Sequence, residues 1–217
     1  MRNGLIVAID GPAASGKSTV ARLLARRLRV AYVNSGAMYR AVTWWMLRHG
    51  ANPAEPDSVV PLLPRMPMEC GLKHGASTIR MGGDDPTPAL CEDAVNQNVS
   101  AVARIPEVRR LLVAKQREYA DDCDLVMEGR DIGSVVFPDT PYKFYIDASP
   151  DIRAGRRALQ GQRDSITDRD RADTSRKTSP LTIAEDAHVI DSSNLTIDGV
   201  VGEIIGRLKL KGMEVPE

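Results

Sequence analysis

The chain has little of what marks several protein classes. It has three cysteines, at 70, 91 and 123. They are odd in number and far apart, which argues against a disulfide framework or a zinc site and fits reduced cytosolic thiols. His49, His74 and His188 are scattered, with no ligand spacing. There is no excess charge of either sign: Lys plus Arg and Asp plus Glu both number 29. Bulk binding to a nucleic-acid polymer is therefore not expected. No apolar run approaches the roughly 20 residues that a membrane-spanning helix needs. Met1-Arg2-Asn3-Gly4 leads straight into the first apolar run, so neither a signal peptide nor a membrane partner is expected. A cytoplasmic location follows as the expectation. The 42% hydrophobic content is ordinary, and 217 residues suffice for one or two domains with a sizeable core.

What the chain does have is Gly11-Pro12-Ala13-Ala14-Ser15-Gly16-Lys17-Ser18, the G-x-x-x-x-G-K-S pattern of a phosphate-binding P-loop. Leu5-Ile6-Val7-Ala8-Ile9 precedes it as a buried parallel strand would. From Thr19 to Leu28, Val20, Leu23, Leu24 and Leu28 recur at helical spacing. Strand, glycine turn and helix start are thus in order. Glycines let backbone N–H groups close around phosphate oxygens, and the helix N-terminus adds a positive dipole end. Lys17 can reach the outer phosphates, and the Ser18 hydroxyl can hold Mg²⁺.

Val30 to Val33 reads as a second strand, and Asn34-Ser35-Gly36-Ala37 as a turn and helix cap. Met38, Ala41, Val42 and Trp45 place a helix to about His49, with Trp44 and Trp45 as core and rim rather than a base-stacking platform. Prolines at 53, 56, 61, 64, 67, 86 and 88 then change the texture. Met68 to Leu72 and Ser77 to Met81 read as short strands of a small β-containing insertion over 50–90. Helical character resumes near Cys91, and a helix opened by Pro106 runs to about Tyr119. Asp121 to Asp124 reads as a solvated acidic loop. Further strands are expected at Leu125–Glu128, Tyr142–Ile146 and His188–Ile190, with helices at Asp151–Gln160 and Asp198–Leu210. The predicted fold is α/β: a P-loop core over 1–49 and 91–217 with a parallel five-stranded sheet covered by helices, the 50–90 insertion and a short lid at about 161–178.

Arginines gather at three places. Arg40 lies one turn into the helix after Ser35; alone, it reads as a solvated or salt-bridged surface group. Arg130 lies in Gly129-Arg130-Asp131-Ile132-Gly133, at the carboxyl end of a strand, where open α/β sheets place ligands. Arg169, Asp173 and Arg176 share one side of a helix if 169–176 is helical; a charged surface loop is the other reading. The planar guanidinium fork suits phosphate. Together these groups suggest a second phosphate pole opposite the P-loop, as in an enzyme acting on two phosphorylated substrates.

With these motifs the sequence resembles the bacterial cytidylate kinases, nucleoside monophosphate kinases of the P-loop superfamily. The resemblance rests on Ile9-Asp10-Gly11-Pro12, Gly16-Lys17-Ser18, Ser35-Gly36-Ala37-Met38-Tyr39-Arg40, Gly129 to Gly133 through Val136-Phe137-Pro138-Asp139, and Arg169-Asp170 with Asp173, Arg176 and Pro180-Leu181. It implies phosphoryl transfer from ATP, with Mg²⁺, to CMP or dCMP by a monomer. Gly11 to Thr19 would hold ATP. Ser35, Arg40, Ser100, Arg109, Arg130, Asp131, Asp173 and Arg176 would hold the acceptor: arginines on its phosphate, Asp131 and Asp173 on its sugar, Ser100 on the cytosine edge. Lys17, Arg169 and Arg176 would act on the transferring group, the last two from the lid. The insertion would belong to the monophosphate-binding region. Asn34 stands where the family commonly has Asp, and 160–167 is shorter than the family's lid. The alternatives are a P-loop kinase for another small acceptor, such as shikimate or dephospho-coenzyme A, and a non-catalytic nucleotide-binding switch.

Overall fold

The structure is a computed structural model that describes residues 4–159, 170–171, 173–176 and 181–216. Its centre is β1 (Ile6–Asp10), whose Val7, Ala8 and Ile9 are fully buried. Successive side chains of a strand point to opposite faces. Ala8 accordingly joins one apolar cluster, while Val7 and Ile9 join another on the far side of the sheet. β5 (Leu125–Gly129) repeats the split: Leu125 and Met127 face one cluster and Val126 the other. Both faces are covered, so these strands read as continuous apolar runs rather than alternating ones.

The remaining parallel strands are β2 (Ala31–Asn34), β6 (Tyr142–Asp147) and β7 (His188–Asp191). With β1 and β5 they give the order β2-β5-β1-β6-β7, all parallel. These are the five strands expected from the sequence. The sheet nevertheless has seven strands, because the hairpin β3 (Met68–Lys73) and β4 (Ala76–Met81) extends its β2 edge. The join is narrow: Tyr32 pairs with Ala76, and the Asn34 N–H donates to Ser77 Oγ at 3.2 Å. The insertion thus continues the sheet, and its Met68, Ile79 and Met81 are buried in the common core.

Helices α1 (Lys17–Leu28) and α7 (Ile197–Leu210) cover one face. The other is covered by α2 (Ser35–Arg48), α4 (Asp93–Val102) and α5 (Pro106–Asp122). A short α3 (Pro56–Val59) and a 3₁₀ turn at Val60–Arg65 lead to the hairpin, and α6 (Pro150–Leu159) follows β6. Trp45 is buried, and Trp44 sits at the rim with the Arg48 guanidinium 5.0 Å above its ring.

Helical character resumes at Asp93, as expected near Cys91, after a 3₁₀ turn at Thr87–Ala89. One local expectation is corrected. The acidic stretch 121–124 is no solvated loop. Asp121 and Asp122 end α5, and half-buried Asp124 accepts the Leu5 N–H at 2.8 Å, fixing the start of β1. Finally, Ile132–Val136 forms a single π-helical turn that carries no signal in the sequence. Arg169 and most of the expected lid lie outside the described residues.

Candidate active site

The P-loop runs from the end of β1 to α1. Gly11 has φ +152°, and a Cβ there would stand 2.1 Å from the Ile146 carbonyl oxygen, so only glycine lets the loop pass β6 this closely. Gly16 caps α1 in the left-handed region at φ +89°. Lys17 is buried and folds over its own loop, donating to the Pro12 carbonyl at 3.0 Å. Two arginines of α6 brace the loop from behind. Arg153 donates to Ala13 O at 3.3 Å and pairs with Asp170 at 2.6 Å. Arg156 donates to Ser15 O at 3.2 Å and to the Ser192 hydroxyl and carbonyl; Ser192 Oγ donates to Ser15 O at 2.8 Å.

The P-loop forms one wall of a cleft of about 660 Å³. Every acceptor residue expected from the sequence lines the same cleft: Ser35 and Arg40 from α2, Ser100 from α4, Arg109 from α5, Arg130 and Asp131 after β5, and Asp173 and Arg176. Asn34 accepts the Ala37 N–H at 3.0 Å, so asparagine caps α2 as aspartate would. Ser35 Oγ donates to Glu128 O at 2.8 Å, tying the start of α2 to the end of β5. Gly129 makes that contact possible, since a Cβ there would lie 2.5 Å from Ser35 Oγ.

Charge is concentrated in the acceptor wall. Arg40, Arg109, Arg130, Arg157 and Arg176 all line the cleft. Burial depresses the Arg40 and Arg176 pKa values, and neighbouring arginines add to the effect. Burial also opposes the Arg130 charge, but Asp173, Glu128 and Asp170 together outweigh it and the pKa rises. Asp173 gathers two of these cations: its Oδ2 accepts from Arg130 Nε at 2.8 Å, and its Oδ1 pairs with Arg176 Nη2. Arg109 makes a buried ion pair with Asp131, donates to Ala103 O at 3.3 Å, and lies 5.5 Å from the Tyr39 ring centre. Arg40 donates to Asn96 Oδ1 at 3.1 Å, and Asn96 in turn donates to Cys91 O. Clustered like charges at a cleft favour a polyanion.

Sequence reasoning overlooked two acidic groups. Glu128 is buried and accepts from Ser18 Oγ at 2.8 Å. Asp10 is buried and accepts the Ile132 and Gly133 N–H groups, both at 2.8 Å. Burial first, and then Asp131, push the Asp10 carboxyl up to about 7, against those two donors and Lys17. A signal was present: each is the single carboxylate closing an apolar strand, at the sheet end where ligands bind. Arg157, within the helix expected at Asp151–Gln160, also lines the cleft, and nothing in its local sequence sets it apart.

This layout offers a phosphate cradle facing an arginine wall across one cleft, with no nucleophile needed for transfer between phosphates. Known proteins agree with it. The sequence model of the cytidylate kinase family matches residues 7–210. Cytidylate kinase of Streptomyces griseus is 40% identical over 209 residues, covering 92% of this chain and 90% of that one. The Rhodococcus opacus cytidylate kinase is 41% identical, covering 94% of each. A Synechococcus bifunctional pantoate ligase/cytidylate kinase is 41% identical over 93% of this chain but only 44% of its own length. Among solved structures, the tunicamycin resistance protein of Deinococcus radiodurans covers 99% of both chains with a TM-score of 0.50 at 16% identity, a likeness of fold alone. A family match over nearly the whole chain, together with a cleft that gathers the family's motif residues, shows that the chain belongs to the cytidylate kinase family.

Proposed function

We propose that the protein catalyses phosphoryl transfer from ATP to CMP and dCMP, giving CDP and dCDP, with the donor on the P-loop and the acceptor on the arginine wall. The observation that carries this reading is the gathering of Arg40, Arg109, Arg130, Arg157 and Arg176 with Lys17 around one cleft. Gly11 to Thr19 cradle the donor phosphates through backbone N–H groups, and Lys17 neutralises charge on the transferring group. Arg40, Arg109, Arg130 and Arg176 hold the acceptor phosphate, while Asp131 and Asp173 face its sugar and Ser100 its base. Arg176 acts on the transferring group, as does Arg169 by the family resemblance. The 50–90 segment supports the acceptor side, to which it contributes Thr87 and Leu90.

Mg²⁺ fits the donor side. Ser18 Oγ beside the Glu128 carboxylate is a hard oxygen pair next to the phosphate cradle. Among the described residues no cluster of three or more acidic, His or Cys side chains forms a dedicated metal cage. That suits Mg²⁺, which takes few protein ligands and completes its shell from phosphate and water. When bound, the ion would neutralise phosphate charge. We also place the protein in the cytoplasm as a monomer that binds no nucleic-acid polymer. No described helix is long and apolar enough to cross a membrane.

Incubation of the purified chain with ATP, Mg²⁺ and CMP, resolved by mass spectrometry, tests this reading. CDP should accumulate with wild type and be nearly lost with Lys17→Ala. ATP turnover without CDP would refute it.

A further inference from the structure

The acceptor loop Gly129–Gly133 runs into the π-helical turn Ile132–Val136, which closes on its own bonds from the Val136 N–H to Asp131 O at 3.2 Å and from the Phe137 N–H to Ile132 O at 2.7 Å and is also held by side chains from outside it. Asp10 takes its first two N–H groups. Its far end is held by Arg117 of α5: Nε donates to Val136 O and Nη2 to Val135 O, both at 2.9 Å. Arg109, eight residues earlier on the same helix, pairs with Asp131 at the near end. One helix therefore fastens both ends of the segment behind Arg130 and Asp131. Arg117 is exposed on α5 and does not line the cleft. An exposed helical arginine is ordinarily a solvated charge, but two bonds to consecutive carbonyls give this one a fixed job.

We propose that Arg117 is a positioning residue of the acceptor site, setting the π-helical turn so that Arg130 and Asp131 meet the acceptor nucleotide. Its effect passes through the turn, since it lies outside the cleft. A π-helical turn is a rare and strained choice for a backbone, and it persists where surrounding contacts define it. Releasing its last two carbonyls lets Ile132 to Phe137 relax toward ordinary helical pairing. Such a shift moves the residues just before the turn, and these face the acceptor. The P-loop is braced by α6 and meets the turn through Asp10, at the end away from Arg117.

The proposal rests on the kinase reading above, so its test has one arm with substrate and one without. In steady-state kinetics, Arg117→Ala should raise the KM for CMP by about three- to tenfold, less than the direct loss of a charge-assisted bond to the substrate because the effect passes through the turn, with the KM for ATP unchanged. Arg117→Lys, which keeps the charge but cannot span both carbonyls, should fall between. Arg110→Ala, an exposed arginine of the same helix paired with Glu107, should change neither constant. In hydrogen exchange on the free protein, the Val135, Val136 and Phe137 amides should exchange faster in Arg117→Ala, while α5 and the P-loop keep wild-type rates. Unchanged exchange in the turn would overturn the proposal whatever the substrate. An unchanged KM for CMP in an enzyme that does make CDP would overturn it and leave the kinase reading standing. If wild type makes no CDP, the kinase reading fails alone and the exchange arm still decides whether Arg117 holds the turn.

Discussion

The ion pair between Arg109 and Asp131 ties the acceptor site to the stability of the fold, and its disruption can be followed without any substrate. The two side chains are 3% and 6% exposed. Removing one partner of a buried pair leaves the other charge without its main compensation, at a cost of about 3–5 kcal/mol. Arg109→Met keeps the length of the side chain and deletes the charge, so Asp131 stays buried without that partner. A chain of this size loses about 2–4 °C of Tm per kcal/mol, so the melt should fall by about 6–20 °C. Asp131→Asn should cost less, at the lower end of that range, because Arg109 keeps the Ala103 carbonyl and the Tyr39 ring. The double variant should lose less than the sum of the singles, with a coupling on the order of 1–3 kcal/mol. Melts of the four proteins by circular dichroism at pH 7 without nucleotide would measure this. An Arg109→Met melt within about 2 °C of wild type, or additive losses in the double variant, would refute the pairing argument.

Lys17→Ala should lower kcat by about a hundredfold or more, the loss seen when one preorganised donor to a developing charge is removed; a variant within about threefold of wild type would take Lys17 out of the mechanism. Arg130→Ala should weaken CMP binding far more than ATP binding in calorimetric titrations, and equal weakening would make Arg130 a support of the fold instead. Asp10 should shape the pH dependence of stability. Its folded pKa of about 7 exceeds the ordinary 3.8, so the fold binds this proton more tightly than the unfolded chain does. That contribution is complete below about pH 4 and is lost as pH rises to about 7, a swing of up to about 4 kcal/mol. Asp10→Asn cannot titrate. Its stability difference from wild type should therefore drift across that window and stay level above it, and a difference constant from pH 4 to 7 would contradict the buried carboxyl.

Much of this was legible in the sequence because periodicity and glycine report backbone directly. Leu5 to Ile9, the Gly11 to Ser18 loop and the Val20–Leu24–Leu28 stripe define β1, its turn and α1 without further context. The acceptor arginines could be named from motif and resemblance, but bringing Arg40, Arg130 and Arg176 to one wall takes three separate chain segments. No periodicity encodes that. The hairpin could be read as strands, but its joining the sheet rests on the single Tyr32–Ala76 pairing, which leaves no pattern. Asp10 and Glu128 were overlooked because a carboxylate closing an apolar strand reads locally as the strand's end. Its role is set by Ile132, Gly133 and Ser18, which lie more than a hundred residues away. Arg117 is the extreme case: it is one charged residue among many on α5 until the turn it holds is in place.

The most direct test of the kinase reading is kcat/KM for a panel of acceptors, measured by coupled ADP release with ATP and Mg²⁺. CMP and dCMP should stand above UMP and AMP, and far above shikimate, by on the order of a hundredfold or more, since a site built to hydrogen-bond its substrate discriminates strongly. Shikimate or another non-nucleotide acceptor matching CMP, or ADP release that ignores the acceptor altogether, would contradict it.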